Sequence, residues 1–389
     1  KKLRRKTGDS KIECYFDADK EAKGKKFFSC GDLTVSYNDE LLLYSIDDKG
    51  SEYFTVFVRR ISDGKIIEKI EDTAGGCLWA FDDKSFFYRK HDSQKRPRKI
   101  FQHKLGAPIS KDELIFEEND ERFTCSIDAT SCEQFYIIET SEHTTSEVYY
   151  FHKDEKKFEP KLFIKREKGI LYDIDSFGGY WYLHTNKNAE DFKISRCRYE
   201  KINEWQDFIP AKKGVVIGGL SFLNDWILRS EVSDALSKIF IRNLKTNHEE
   251  QLIFTDEKVI SPSISLMQKD KNTDNIRLAY ESPKTPTRVF EYNLKTKDKK
   301  LVKEKEIPSG HNRDDYVVER LHCQSNDGRQ IPITITFHKN TKLDGNAHLL
   351  LYGYGSYGSS MMPAFSTSKF SLIDRNVIWA TCHIRGGFE

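Results

Sequence analysis

Short apolar or alternating segments follow turns centred on Asn or Asp at regular intervals along most of the chain. The turn centres fall near residues 38, 82, 128, 175, 224 and 274. A spacing of roughly 45 to 50 residues is typical of one four-stranded propeller blade and differs from the 33 to 34 residues of ankyrin or tetratricopeptide repeats. The pattern predicts a β-propeller, with repeats in SYNDELLLYSID (36–47), AFDDKSFFYRK (80–90), SIDATSCEQFYIIET (126–140), DIDSFGGYWYLHT (173–185), FLNDWILRSE (222–231) and DNIRLAYES (274–282).

Each repeat also contains strand-like runs joined by polar turns. In YFTVFVRRISDGKII (53–67), two such runs flank Ser62, Asp63 and Gly64, a hairpin signal. Residues 237–253 and 287–302 show the same order of strand, polar turn and strand. Unrelated hairpins in a sandwich are the alternative, but six repeats without helical interruption favour a propeller.

The pattern changes after Lys305. YVVERLHCQSNDGRQIPITITFHK (316–339) predicts a hairpin around Asn326, Asp327 and Gly328. HLLLYGYG (348–355) predicts a strand buried on both faces, as in a parallel sheet. A short helix in 365–375 and a second buried strand in 376–384 complete an α/β unit. We therefore expect a propeller domain over 1–310 and an incomplete second domain over 311–389.

The segment LLLYGYGSYG (349–358) carries Gly353, Gly355 and Gly358 with the spacing of a dinucleotide-binding loop. Such a loop also needs a helix that begins at its third glycine and an acid at the end of the next strand. Pro363 precedes the probable helix, and Asp374 lies before the second strand instead of at its tip. The pattern therefore disfavours a dinucleotide site. No cofactor is expected for this chain.

Net charge and cysteine content limit the classes of partner, the kinds of site and the cellular setting that we expect. The net charge of +2 favours neither nucleic acid nor an anionic membrane as a partner. Eight cysteines without a C-x-x-C pair indicate neither a zinc site nor a disulfide framework, which predicts a reducing, cytoplasmic setting. No apolar run approaches 18 residues. The first residue is Lys1 and not methionine, so we expect that a native N-terminus precedes it.

LLLYGYGSYG, the helix SKFSLIDR and HIRGGFE together resemble the opening of the catalytic domain in the prolyl oligopeptidase family of serine peptidases, with details closer to the oligopeptidase B branch. The resemblance extends over essentially the whole chain. Shorter matches lie in the predicted propeller, in TTSEV (144–148), EWQDFIP (204–210), NDWIL (224–228) and ESPKTPTRVFEYNL (281–294).

The resemblance implies a seven-bladed propeller, of which six repeats are evident here, followed by an α/β-hydrolase domain that acts on short peptides. It also implies that Tyr354 donates its hydroxyl to the oxyanion of the tetrahedral intermediate. Gly353 and Gly355 suit that role because they lack blocking side chains and tolerate positive φ. Tyr352 and Tyr357 are expected to be structural.

The family's nucleophile elbow, G-x-S-x-G, is absent from the sequence. Ser356 is not the nucleophile, because Tyr354 stands where the first glycine of the elbow must be. By resemblance, the catalytic Ser, Asp and His all lie beyond Glu389, so this chain is expected to be truncated at both ends and inactive alone. His338 and His383 are interpreted as structural.

Further expectations concern the turn at HIRGG and the specificity. Gly386 and Gly387 should supply backbone freedom there, and Arg385 an ion pair. Resemblance implies cleavage after Arg or Lys, whereas Met361–Ala364 lack the acids that favour paired basic residues. The resemblance also implies that Lys26 stands where the family often carries a glutamate that bridges the two domains, so the contacts between domains are expected to differ.

Alternatives remain open. The chain could belong to a prolyl-specific oligopeptidase, or be a stand-alone propeller that acts as a binding module or a remnant. The oligomeric state is left open. The charged segments 155–168 and 295–306 are interpreted as solvated blade edges.

Overall fold

A computed structural model describes residues 2–5, 12–202, 204–266 and 271–386. The chain divides into two compact units, Lys1–Leu183 and His184–Glu389. The domain boundary expected near residue 310 stays a prediction. Helices in the described ranges are short: α1 (Ala18–Ala22), α2 (Thr367–Ile373) and 3-10 turns at Ile109–Lys111, Tyr199–Lys201 and Arg313–Asp315.

An antiparallel ribbon and a series of four-stranded sheets begin the chain. The ribbon joins β1 (Lys2–Arg5) to β2 (Ile12–Phe16). In each of the next three sheets, neighbouring strands follow one another along the chain. The strands are β3 (Ser29–Val35), β4 (Leu41–Asp47), β5 (Phe54–Arg60), β6 (Ile66–Thr73), β7 (Cys77–Trp79), β8 (Ser85–His91), β9 (Pro97–Lys104), β10 (Glu113–Glu117), β11 (Thr124–Ala129), β12 (Phe135–Ser141), β13 (Ser146–His152) and β14 (Lys161–Ile164).

Three more sheets of the same order follow, and then a seventh sheet of different order. The strands of the three sheets are β15 (Tyr172–Phe177), β16 (Tyr180–Thr185), β17 (Lys193–Arg198), β18 (Gln206–Ile209), β19 (Val216–Leu223), β20 (Trp226–Ser233), β21 (Leu236–Asn243), β22 (Glu249–Gln251), β23 (Ser261–Leu266), β24 (Asn275–Glu281), β25 (Arg288–Asn293) and β26 (Lys299–Glu304). The seventh contains β27 (Tyr316–Gln324), β28 (Gln330–His338), β29 (Leu349–Gly353) and β30 (Ile378–Cys382).

The six sheets with sequential strands correspond to the six repeats of the sequence, and their cores lie between neighbouring sheets. Leu43 and Val58 of the first sheet pack in one cluster with Trp79 and Phe86 of the second. The opposite face of the second sheet packs with the third sheet in a further cluster. Burial of one large apolar side chain contributes about 1.5–3 kcal/mol, so each sheet depends on its neighbours for stability.

Hydrogen bonds between neighbouring sheets recur at the spacing of the sequence repeat. The carboxylate of Asp83 accepts hydrogen bonds from the amides of Tyr37 and Asn38 at 2.6 and 2.8 Å, across 46 and 45 residues. The carboxylate of Asp175 accepts hydrogen bonds from the amide and the hydroxyl of Ser131, 44 residues earlier, at 2.7 and 2.6 Å. The Asp83 turn detected in the sequence therefore also connects the first sheet to the second. The turn centres predicted near residues 128 and 175 are displaced, because Asp128 and Asp175 lie inside β11 and β15 and the turns follow a few residues later. Asp175 thus connects the third sheet to the fourth from within a strand.

The hairpins predicted around Gly64 and Gly328 are confirmed. Gly64, with φ of +73°, lies in the connection between β5 and β6. Gly328, with φ of +82°, lies between β27 and β28, which pair in antiparallel register from Tyr316 with His338 to Gln324 with Gln330.

The seventh sheet has the order β27, β28, β30, β29. Only β29 and β30 are parallel, and α2 lies between them in the chain, which confirms the predicted order of strand, helix and strand. The prediction that the first of these strands is buried on both faces is wrong: β29 is the edge strand, and Leu349 and Leu351 are 55% and 62% exposed. A run of leucines indicates a buried strand only when other elements cover it.

Asp83 allows a test of the connections between sheets. Replacing Asp83→Ala leaves two backbone amides without acceptors and should lower the free energy of unfolding by about 1–3 kcal/mol. Asp83→Asn keeps one acceptor oxygen and tolerates the φ of +55°, so its free energy of unfolding should fall less than that of Asp83→Ala. Urea unfolding of both variants measures the difference; equal losses would contradict a contribution of the oxygen that Asn retains.

Candidate functional site

The loop after β29 crosses the loop after β30 at two glycines. A side-chain carbon on Gly355 would overlap the carbonyl oxygen of Arg385, and one on Gly386 would overlap the carbonyl oxygen of Gly355. The amide of Gly358 donates to the carbonyl of Gly386 at 3.1 Å. Because neither glycine has room for a side chain, the loop that carries Tyr354 and residues 383–386 form one structural unit.

The backbone of this loop differs in one respect from the prediction. Neither Gly353 nor Gly355 has a positive φ, so the expectation that they use this freedom is wrong. The positive values lie at Tyr357 (+57°), Gly358 (+70°) and, across the contact, Gly386 (+113°). The requirement for glycine at position 355 is therefore steric.

Tyr354 follows β29 directly and is 41% exposed. No hydrogen bond from its hydroxyl to another residue is found within the described part of the chain. A donor to a substrate oxyanion must be free to reach that oxygen, and this tyrosine satisfies the condition. Its assignment as an oxyanion donor stays a prediction.

The other two tyrosines of the motif have different surroundings. The ring of Tyr352 lies 6.3 Å from that of Trp379, centroid to centroid, and the residue is 42% exposed. Tyr357 is 90% exposed, so it does not pack against the loop. The expected structural role fits the first tyrosine better than the second.

His383 is buried behind the loop, with a relative exposure of 2%. Its Nε2 lies 2.8 Å from the hydroxyl of Thr334, and its Nδ1 lies 2.5 Å from the carbonyl of Met361. Burial lowers the pKa of the imidazole, which keeps it neutral. A neutral ring with Nδ1 as donor and Nε2 as acceptor satisfies both contacts, so the structural interpretation of this histidine is confirmed.

His338 and Ser356 also lack the surroundings of catalytic groups. His338 accepts the amide of Asn340 at Nδ1, 3.2 Å away, and its ring packs edge-on against Tyr316. Ser356 forms an isolated β-bridge with Ser359. Among the residues with described positions, no hydrogen bond joins the Ser356 hydroxyl to a histidine.

The segment that follows the glycine loop contacts the fifth and sixth sheets inside the second unit. The hydroxyl of Ser261 donates to the carbonyl of Pro363 at 2.9 Å. The hydroxyl of Ser237 lies 3.8 Å from the sulfur of Met362. The side chains and carbonyls of Met361–Ala364 therefore hold the loop, and this segment contributes no carboxylate, as the sequence shows.

A polar chain connects the fifth sheet to His383. Asp234 hydrogen-bonds through its carbonyl to Arg320 and forms an ion pair with it at 3.5 Å. The same carboxylate lies 3.2 Å from Nε2 of His322. Arg320 in turn donates to the Thr334 hydroxyl at 3.0 Å. Thr334 is therefore shared between Arg320 and His383.

Sequence analysis did not identify Asp234. The residue forms a two-residue hairpin turn with Ala235 between β20 and β21, and their φ values are +53° and +51°. Asn-Gly or Asp-Gly normally occupies such a turn, so Ala at its second position was a detectable anomaly. Its partners, 86 and 88 residues away, were not detectable.

The remaining predictions at this site have mixed outcomes. The expected ion pair of Arg385 is confirmed, because its guanidinium lies 2.5 Å from the carboxylate of Asp327. The hydroxyl of Ser325 and this guanidinium together hold the pKa of that carboxyl below its usual value. Gly387 lies outside the described residues. Lys26 is exposed, and its proposed effect between domains stays a prediction.

No cluster of three or more His, Cys, Asp or Glu side chains in the described ranges is arranged to hold a metal ion. All eight cysteines are free thiols. In the part of the chain that the structure covers, no helix has both the length and the apolar composition to cross a membrane.

Six consecutive four-stranded sheets with sequential strand order define a domain of the β-propeller class. Residues 2–305 match the family described as "Prolyl oligopeptidase, N-terminal beta-propeller domain". The chain belongs to this family.

Similar proteins agree with this membership. Dipeptidyl aminopeptidase BI of Pseudoxanthomonas mexicana is 30% identical over 94% of this chain and 51% of its own length. Protease 2 of Moraxella lacunata is 26% identical over 98% of this chain and 55% of its own length. Oligopeptidase B from Trypanosoma brucei, solved in a closed form with covalently bound antipain, superposes with a TM-score of 0.89 at 26% identity, over 99% of this chain and 56% of its own. The chain thus spans about half the length of the relatives that it matches.

The close contact between the two loops can be tested at Gly355. Gly355→Ala places a methyl group against the carbonyl of Arg385 and should lower the free energy of unfolding by about 1–3 kcal/mol. Gly219→Ala is the control, because its methyl group would meet no atom within 4 Å. Circular dichroism melting measures both; equal melting temperatures would disprove the steric requirement.

The environment of His383 predicts a pH dependence of stability. Its folded-state pKa is lowered from 6.5, so the unfolded chain binds more protons as the pH falls. The stabilisation by His383 is therefore complete above pH 6.5 and is lost towards the lowered pKa. Urea unfolding should show His383→Gln to be less stable than wild type at about pH 7.5, with a smaller difference at about pH 5.5. A constant difference would contradict the buried neutral ring.

Proposed function

We propose that this chain is the propeller half, with the first part of the catalytic domain, of a serine oligopeptidase that hydrolyses short peptides through an acyl-enzyme. Membership of the prolyl oligopeptidase propeller family is the observation that carries the proposal. The names of the relatives, which include Protease 2 and dipeptidyl aminopeptidase, support a peptidase. The proposal includes seven blades, of which six correspond to the sequential sheets, and a domain boundary near residue 310.

The seventh sheet supports the start of an α/β-hydrolase domain. Parallel β29 and β30, with α2 between them in the chain, form the βαβ arrangement of an α/β fold. The exposed leucines of edge strand β29 would be covered in a larger parallel sheet. This exposure disfavours the alternative of a stand-alone propeller that acts as a binding module, since such a module has no use for an uncovered apolar strand.

In the proposed mechanism, the nucleophilic Ser and its His and Asp partners come from a segment beyond Glu389. The Ser attacks the scissile carbonyl, His takes its proton, and the carbonyl oxygen becomes an oxyanion. Tyr354 donates a hydrogen bond from its hydroxyl to that oxyanion. The close contact between Gly355 and Gly386 fixes the loop that carries Tyr354. No metal or organic cofactor takes part in this proposal.

Cleavage after Arg or Lys is the preferred specificity, because the likeness extends to proteins named Protease 2 and oligopeptidase B. Cleavage after proline is the second candidate, supported by prolyl endopeptidase of Elizabethkingia meningoseptica at 24% identity. Because Met361–Ala364 contain no acid, we expect weaker selectivity for a second basic residue at the position before the cleaved one. We propose a cytoplasmic location, and neither nucleic acid nor membrane as a partner.

Expression of the complete coding sequence tests the proposal. The product should contain a G-x-S-x-G serine that reacts with a fluorophosphonate probe, and it should cleave peptides after Arg or Lys. Cleavage only after proline would favour the second candidate. A complete protein that neither reacts with the probe nor cleaves peptides would overturn the proposed function.

Tyr354→Phe in that complete protein tests the oxyanion donor. Loss of one such donor should lower kcat about a hundredfold to a thousandfold with little change in KM, because the hydroxyl acts on the transition state. Tyr352→Phe, in the same motif, is the matched control and should retain activity. An unchanged kcat in Tyr354→Phe would refute the assignment.

A further inference from the structure

A cavity of about 970 Å³ lies in the first unit, among loops of the second and third sheets. These loops connect β8 to β9, β10 to β11, β12 to β13 and β14 to β15. Arg96, Arg122, Arg166 and Lys168 line it, together with Phe123 and one acid, Glu142. None of these residues belongs to the site around Tyr354.

Arg166 is held rigidly at this cavity. Its Nη2 atom donates to Glu118 at 2.6 Å, to Glu147 at 2.9 Å and to the hydroxyl of Thr140 at 3.2 Å. Its guanidinium lies 4.0 Å from the centre of the Phe123 ring. Arg166 was expected on a solvated blade edge; instead its side chain is 23% exposed, because two buried carboxylates draw it inward.

The remaining donors of Arg166 are unused. Every hydrogen bond found for its side chain in the described structure uses Nη2, which leaves Nε and Nη1 without protein acceptors. A fixed guanidinium with free donors matches a carboxylate well, because little rotamer entropy is lost on binding.

Two further cations at the cavity have no carboxylate partner within the described ranges. Among the described residues, the guanidinium of Arg96 donates only to the carbonyl of Glu121, at 3.1 Å. Lys168 is exposed and makes no ion pair there. Arg122, in contrast, is paired with both carboxylate oxygens of Asp120, at 3.0 and 2.7 Å. Arg96 and Lys168 are therefore free to bind an anion.

The balance of charges limits the anion that the cavity would accept. Glu142 faces the cavity and is ionised, because hydroxyls of Thr144 and Thr145 lower its pKa. Four cations line the site, and Glu142 together with the three carboxylates that pair with Arg122 and Arg166 brings their summed formal charge to zero. Such a site suits a single negative charge better than a dianionic phosphate.

We propose that this cavity binds a carboxylate of a peptide ligand, with Arg166 as the fixed donor and the exposed Arg96 and Lys168 as additional donors. That the ligand is a peptide rests on the proposed function; that it carries a carboxylate rests on the cavity alone. Phe123 and the hydroxyls of Thr124 and Ser141 line the space around the bound group. The carboxylate is either an Asp or Glu side chain or the C-terminus of the peptide.

Fluorescence anisotropy with this chain tests the proposal without any measurement of activity. The probe is a short labelled peptide with one Glu and a free C-terminus, compared with two versions, one with Gln for Glu and one with a C-terminal amide. Loss of affinity in the Gln version identifies the side chain as the bound group, and loss in the amide version identifies the terminus. Equal affinity of all three peptides would overturn the proposal.

Matched variants locate the binding. The double variant Arg96→Gln with Lys168→Gln should weaken binding about tenfold, whereas Glu142→Gln should strengthen it about threefold because a repelling charge is removed. Lys84→Gln with Lys111→Gln has the same charge change at exposed lysines outside the cavity and should leave affinity unchanged. A double variant at the cavity that binds as well as this control, or a Glu142→Gln variant that binds more weakly than wild type, would overturn the proposal.

Competition with small anions tests whether the bound group is a carboxylate, and peptidase activity distinguishes failure of the site from failure of the proposed function. Acetate should displace the labelled peptide at lower concentration than inorganic phosphate does; the reverse order would overturn the assignment to a carboxylate. If the complete protein lacks peptidase activity while this chain still binds the acidic peptide at the cavity, the proposed function fails and the site stands. If peptides are cleaved but the chain binds none of them at the cavity, the site fails and the proposed function stands.

Discussion

The packing of one four-stranded sheet on the next is the interaction on which the structure depends. A sheet such as β3 to β6 has apolar side chains on both faces, so it cannot be stable unless both faces are covered. Trp79 and Phe86 of the second sheet cover one face of the first. The hydrogen bonds of Asp83 add direction to this non-directional attraction, because they fix the turn of one sheet against the turn before it.

The same need to satisfy buried groups explains how the glycine loop is held. His383 has two ring nitrogens in a nearly dry environment, and an unpaired one would cost about 1–3 kcal/mol. Thr334 and Met361 satisfy them, and Thr334 also receives a hydrogen bond from Arg320, which is paired with Asp234. A turn of the fifth sheet is thereby connected to the loop that carries Tyr354 through groups that each need a partner.

Arg229 and Arg166 are each held by two glutamates. Their surroundings determine whether the guanidinium only stabilises the fold or can also bind a ligand. The side chain of Arg229 is 3% exposed, and all three of its nitrogens, Nε, Nη1 and Nη2, contact the carboxylates of Glu231 and Glu249. Arg166 has the same type of partners, but its bonds converge on one nitrogen, and the rest of the guanidinium faces a cavity. The buried ion pairs of Arg229 stabilise the fold, whereas those of Arg166 hold its guanidinium in position to bind a ligand.

The sequence alone determined the features that depend on residues close together in the chain. The turns near residues 38 and 82, the hairpin at Asp327 and Gly328, and the order of β29, α2 and β30 are set by neighbours in the chain, and the structure confirms them. Only the tertiary structure decided that Leu351 is exposed, that Gly355 is required for steric reasons, and that Asp234 meets Arg320. These properties depend on which distant segments come together, and hydrophobic periodicity contains no information about partners that lie tens of residues away.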